Sequence, residues 1–137
     1  AAEVLDYKKG NRGAVQTLSY HFEGLDRTVL IADTRFIVER VTAGMEPSSI
    51  ATQDRPLIVM ALEHPLNVAT RGAEVRLNAY QTALIPAGGE WCTVSAVAEN
   101  AAFMLVTPPQ NREMLAVQLL AAGVEQSNID RFMEQFT

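Results

Sequence analysis

The chain has 137 residues, enough to bury a core in one domain without disulfide or metal staples. Its net charge of -5 and its lack of a clustered basic surface exclude a nucleic-acid binder, because phosphate neutralisation needs converging Lys and Arg. A single cysteine, Cys92, excludes an internal disulfide, and no apolar run approaches the roughly 20 residues of a membrane span.

Residues 1–26 mix glycines with polar and charged residues without a sustained period, and they read as an extended arm leading into the domain. From Thr28 the texture changes. Val29-Leu30-Ile31 and then Phe36 to Val41 are rich in β-branched and aromatic residues, which suit a half-buried pleated surface. Ala43-Gly44 through Pro47-Ser48-Ser49 reads as turn-rich. Leu57 to Leu62 is a continuous apolar run between two prolines, the pattern of a strand buried on both faces.

Short strand-like segments follow at Leu66–Thr70, Glu74–Leu77, Thr82–Ile85, Trp91–Val94 and Ala102–Val106, with Gly, Pro and Asn between them. Strands at such spacing, without alternating long helices, predict a sandwich or barrel rather than a parallel α/β sheet. After Pro108-Pro109 the period switches. A helix is expected across Met114–Leu120, stopping at Gly123, and a second from Ser127, with Asp130 completing a capping box. In that second helix Ile129, Phe132, Met133 and Phe136 share one face. The stripe must pack either on the β domain or on a second chain, which makes these four residues candidate homodimer contacts.

The expected organisation is thus an arm over 1–26, a β domain over 27–107 and a helical extension over 108–137. The fold class is mainly β, a jelly-roll or β-sandwich. The amino terminus lacks a basic-then-apolar signal pattern, so the expected compartment is the cytoplasm. The chain does not begin with Met, which leaves open a fragment, a processed chain or an independent protein.

Three ordered patches resemble the type I mannose-6-phosphate isomerase (phosphomannose isomerase) family. Val4-Leu5-Asp6-Tyr7 with the following Lys-Lys-Gly-Asn-Arg-Gly is similar to the segment that leaves that family's catalytic domain. Thr28 through Val41, with its Val38-Glu39-Arg40 strand, is similar to the entry of its C-terminal cupin. Leu77 through Gly88, centred on Thr82-Ala-Leu-Ile-Pro-Ala, is similar to its late cupin hairpin. Where the family has Gly-Asp before the late strand, this chain has Ala79-Tyr80-Gln81, so the tight turn must be built differently. The two C-terminal helices have no counterpart in the family pattern.

The resemblance implies a cupin-like fold and, for the whole family enzyme, interconversion of mannose and fructose 6-phosphates on a zinc ion. Its ligands, including a Gln-x-His pair, lie in a catalytic domain upstream, a possible partner of this chain. This chain has no Gln-x-His and only two histidines, His21 and His64. A catalytic zinc takes three clustered ligands, so neither a metal nor another cofactor is expected in this chain. His64 adjoins Glu63, and neighbours on an extended strand point to opposite faces.

Metal-binding cupins place a His shortly after Pro-Ala-Gly, where this chain reads Gly89-Glu90-Trp91-Cys92. Glu90 is a candidate ligand or a plain loop carboxylate. Trp91 is a candidate sugar platform or a rim aromatic, and Cys92 is expected as a small buried hydrophobe. Arg71, Arg76 and Lys8-Lys9 could hold a sugar phosphate, or be scattered surface charges. Nucleophile-elbow, Walker and dinucleotide glycine motifs are absent. The expected function is a non-catalytic cupin module with a structural or assembly role. The alternatives are a free-standing module binding a sugar or sugar phosphate, and a dimerising interaction protein.

Overall fold

A computed structural model describes residues 16–33, 35–51, 55–87, 91–108 and 112–136. Among these residues run β1 (Leu18–Phe22), β2 (Leu25–Ala32), β3 (Ile37–Ala43), β4 (Ser48–Ala51), β5 (Leu57–Ala61) and β6 (Leu66–Thr70). They are followed by β7 (Ala73–Leu77), β8 (Thr82–Ile85), β9 (Trp91–Ala96), β10 (Ala101–Thr107), α1 (Arg112–Ala121) and α2 (Gln126–Glu134). A six-stranded antiparallel sheet in the order β1-β2-β3-β10-β5-β8 packs on a four-stranded one in the order β4-β9-β6-β7. This is a two-sheet antiparallel β-sandwich with two C-terminal helices.

Period-two alternation sends one face of each strand inward. Leu25, Val41, Leu57, Phe103 and Leu105 of the large sheet meet Ile50, Leu66, Val68, Cys92 and Val94 of the small one in a single buried cluster. The small sheet is too narrow to cover its partner. The rest of the large sheet's inner face, at Tyr20, Val29, Ala32 and Ile37, is covered by Leu115, Leu119, Ile129 and Phe132 of the two helices. A bulge in β2 between Val29 and Ile31 resets the alternation, so that Ala32 again points inward opposite Ile37.

Several expectations change. The arm expected over 1–26 does not include Leu18–Phe22, which pairs with β2 as the edge strand of the large sheet. Residues 1–15, including Lys8 and Lys9, lie outside the described residues. Ser48-Ser49 is strand rather than turn and pairs with Val94 and Thr93. The run Leu57–Leu62 is buried on one face only: Leu57, Val59 and Ala61 point into the core while Ile58 is exposed.

Helix α1 ends as expected. Gly123 takes φ +93, its N–H bonds the Leu120 carbonyl, and the Val124 N–H bonds that of Leu119, both at 3.0 Å, which is a Schellman stop. The capping box does not form. Glu125 is the N-cap of α2 without a side-chain bond, and Asp130 instead accepts from Gln126 Nε2 at 2.8 Å. The stripe proposed as a dimer contact packs within the chain. Ile129 and Phe132 are buried in the helix–sheet cluster, and Met133 and Phe136 lie against it. The Phe132 and Phe136 rings meet edge to face, 5.3 Å apart. The unusual turn before β8 puts Tyr80 at φ +65, with the Asn78 carbonyl accepting from the Gln81 N–H at 3.0 Å.

Candidate functional site

The two apolar clusters are divided by a buried polar seam. Along β2 the inward positions read Leu25, Arg27, Val29, and along β3 they read Ile37, Glu39, Val41. Each strand therefore carries one charge where alternation calls for an apolar group. The register pairs Arg27 with Val41 and Val29 with Glu39, so the two charges are diagonal neighbours. Arg27 is 3% exposed, and its Nη1 lies 3.6 Å from Glu39 Oε1. From the neighbouring strand β1, Tyr20 Oη donates to Glu39 Oε2 at 2.5 Å.

Glu23 completes the seam from the β1–β2 turn. Glu23 and Gly24 take φ +58 and +78, the double left-handed pattern of a two-residue hairpin turn. Glycine adopts it freely, whereas a glutamate there stores on the order of 1 kcal/mol of strain. The strained backbone brings the Glu23 carboxylate to Arg27 Nη2 at 2.6 Å, and the guanidinium carbon also lies 5.6 Å from the centre of the Phe22 ring. Arg27 Nε is buried and has no partner among the described residues.

Burial dominates the titration of this group. It pushes the Glu39 carboxyl up, outweighing the Arg27 charge and the Tyr20 hydrogen bond that favour the carboxylate. The Tyr20 phenol is pushed up by burial first and by Glu39 second. Cys92, in the adjoining sandwich core, has its thiol pushed up to about 11 by burial and then by the Glu23 charge. It is a buried hydrophobe and not a poised nucleophile.

Beside the seam lies a small opening of about 40 Å³, lined by Glu23, Arg27, Glu39, Thr107, Met114 and Gln118 among others. It has room for a water molecule or two, whereas small-molecule pockets run to about 300–1,000 Å³. A shallower groove of about 240 Å³ lies on the opposite, outer face of the large sheet, lined by Arg40, Thr42, Leu62, Glu63, His64, Asn100 and Ala102. Glu63 and His64 sit in the bend between β5 and β6 and line this groove together, rather than diverging as they would on a strand. Among the described residues no three His, Cys, Asp or Glu side chains converge as a metal cage would require.

The ligand candidates read from the sequence are spread over the small sheet. Arg71 is in the β6–β7 turn and Arg76 on β7, opposite Asn67. Trp91 begins β9 and alternates with the buried Cys92, so it faces outward. The pairing of Ala69 with Thr93 brings Arg71 and Trp91 toward one end of the sheet, while Arg76 sits at the level of Ser95, further along. All three are exposed, and Glu90 lies outside the described residues. His21 lies on β1, its Nδ1 2.8 Å from Asp26 Oδ1 on β2.

The seam residues Tyr20, Glu23, Arg27 and Glu39 escape a reading by motif. Their signal is parity: Leu25-x-Arg27-x-Val29 and Ile37-x-Glu39-x-Val41 each place a charge in an inward series.

No protein-family model matches the chain, and no curated relative does. Solved structures define the class, which is the cupin-type β-sandwich. KdgF from Halomonas sp. superposes with a TM-score of 0.57 at 13% identity, covering 66% of this chain and 85% of that one. A cupin-2 domain protein from Shewanella frigidimarina gives 0.50 at 20% identity, covering 58% and 76%. The EutQ protein of Clostridium difficile gives 0.53 at 17% identity, covering 62% and 68%. At these identities the likeness is one of fold. No helix among the described residues is long and apolar enough to cross a membrane.

Proposed function

We propose that the chain is a non-catalytic cupin module, related to the C-terminal cupin of mannose-6-phosphate isomerases and serving a structural or assembly role. The supporting observation is the filled interior of the sandwich. Ile50, Cys92 and Val94 of one sheet meet Leu25, Val41 and Phe103 of the other, each 3% exposed or less. Ligand sites are concave and hold a few convergent polar groups. Here the interior is close-packed and apolar, and the buried charges answer one another within the chain. The stretch after Pro86-Ala87 that carries a His in metal-binding cupins leads here to Cys92, which packs into that core.

The test is a coupled assay of mannose and fructose 6-phosphate interconversion with and without added zinc, beside a thermal-shift series with both sugar phosphates. The expected outcome is turnover indistinguishable from buffer and an unchanged Tm. Turnover abolished by a chelator would overturn the reading. A saturable rise in Tm would transfer support to a sugar-phosphate-binding module.

A further inference from the structure

An antiparallel sheet with one face on the core ordinarily shows polar side chains on the other. The large sheet does not. Its pairings Ile31↔Val38, Val38↔Val106, Val106↔Ile58 and Ile58↔Leu84 put five aliphatic side chains in one continuous row across the outer face. The neighbouring row centres on Met104↔Met60 and ends in Thr28 and Thr82. Both helices and the small sheet lie on the opposite face. Leu84 is 66% and Ile58 39% exposed. Contiguous exposed apolar surface of this kind marks contact sites.

We propose that a second copy of this chain covers this face, in a dimer whose two-fold axis runs along β10. The face suits itself. The row spans β2, β3, β10, β5 and β8, so β10 is its central strand. Rotation about an axis along β10 lays the row on its own copy, with Val106 opposite Val106, Val38 opposite Ile58 and Ile31 opposite Leu84, as an isologous contact requires. The same rotation carries Arg40, on β3 in the Met104 row, over Met60 of the partner's β5, three residues before Glu63 and within reach of a long Arg side chain. Arg40 and Glu63 are exposed and form no ion pair with a described residue of their own chain. Each copy thus offers both members of two equivalent charge pairs flanking an apolar centre.

The size is adequate. Five strands about 4.8 Å apart, four to eight residues long and about six on average, give a face of roughly 24 by 20 Å, about 480 Å² in projection before side-chain relief is counted. A standard interface takes about 800 Å² of accessible surface per partner. The aliphatic row with Met104 and Met60 therefore forms the apolar centre, Thr28 and Thr82 lie at the rim, and Arg40 sits beside Met104 within the second row. This gives a surface to the assembly role proposed above, and a mass measurement can fail independently of the turnover assay.

Sedimentation velocity tests it. The wild-type chain is expected at twice its 15.0 kDa mass at micromolar concentration. Ile58→Asp is expected to be monomeric with an unchanged circular-dichroism spectrum. Arg40→Glu should weaken dimerisation by about tenfold or more, and the double variant Arg40→Glu, Glu63→Arg should restore most of that loss, since the pair is exchanged rather than broken. A monomeric wild type would overturn the proposal. So would a dimer that survives Ile58→Asp but is lost on Val117→Asp, which would move the contact to the exposed face of α1.

Discussion

The two faces of the large sheet differ in how their apolar side chains are covered. The inner face is covered twice, by the small sheet over Val41 and Phe103 and by the helices over Val29 and Ile37. Where the covers meet, the chain places Arg27, Glu39, Tyr20 and Glu23. The outer face carries a row of five aliphatic side chains with no cover among the described residues. Burying a large aliphatic side chain is worth about 1.5–3 kcal/mol, and the outer row leaves part of that unrealised. The inner face holds the fold together; the outer face has the composition of a surface awaiting a partner.

Substitutions should separate the two faces. On the inner face Phe103→Ala removes a fully buried ring from the sandwich core. It should cost about 3–5 kcal/mol in urea unfolding. In the seam, Arg27→Met leaves Glu23 and Glu39 without their shared cation and should cost on the order of 3 kcal/mol at pH 7. Part of that loss should be recovered at low pH as Glu39, whose pKa burial raises, takes up a proton.

Glu39→Gln is expected to be milder, within about 1 kcal/mol, because the amide oxygen can still accept from Tyr20 while no charge is buried. It also has a pH signature. The folded state raises the Glu39 pKa through burial. The stability that Glu39 contributes is therefore complete below its unfolded value of about 4.3 and is lost as pH rises through the folded value. Wild-type stability relative to Glu39→Gln should fall from pH 4 upward, as urea midpoints across pH 4 to 7 would show. On the outer face Leu84→Ser should cost less than about 1 kcal/mol in the monomer, because the side chain is already exposed.

Most of the sandwich was legible in the sequence because strand texture is local. β3, β5, β6, β8 and β10 stand near their expected positions, and Gly123 marks the stop of α1 through a conformation that other residues resist. β1 and β4 were hidden. Ser19-Tyr20-His21 and Ser48-Ser49 have the composition of loops, and only pairing with β2 and β9 makes them strands. The stripe of α2 was legible as a stripe but not as to what it meets, since that depends on how much of the large sheet the small one leaves bare. The seam escapes a local reading for a different reason: its members, Tyr20, Glu23, Arg27 and Glu39, are 3 to 19 positions apart, and no local motif joins them. Leu57–Leu62 is instructive too. It reads as buried on both faces, and among the described residues one face is buried; a second copy on Ile58 and Met60 would bury the other.

Methyl-resolved NMR with a soluble paramagnetic probe, run at low and high protein concentration, compares the two faces directly. Methyls of Val29, Val41 and Leu105 should be protected at both concentrations. Those of Val38, Ile58, Leu84 and Val106 should be bleached when dilute and protected when concentrated. Concentration-independent bleaching of the outer row, or protection that arises instead at Met114, Val117 and Leu120, would contradict the account.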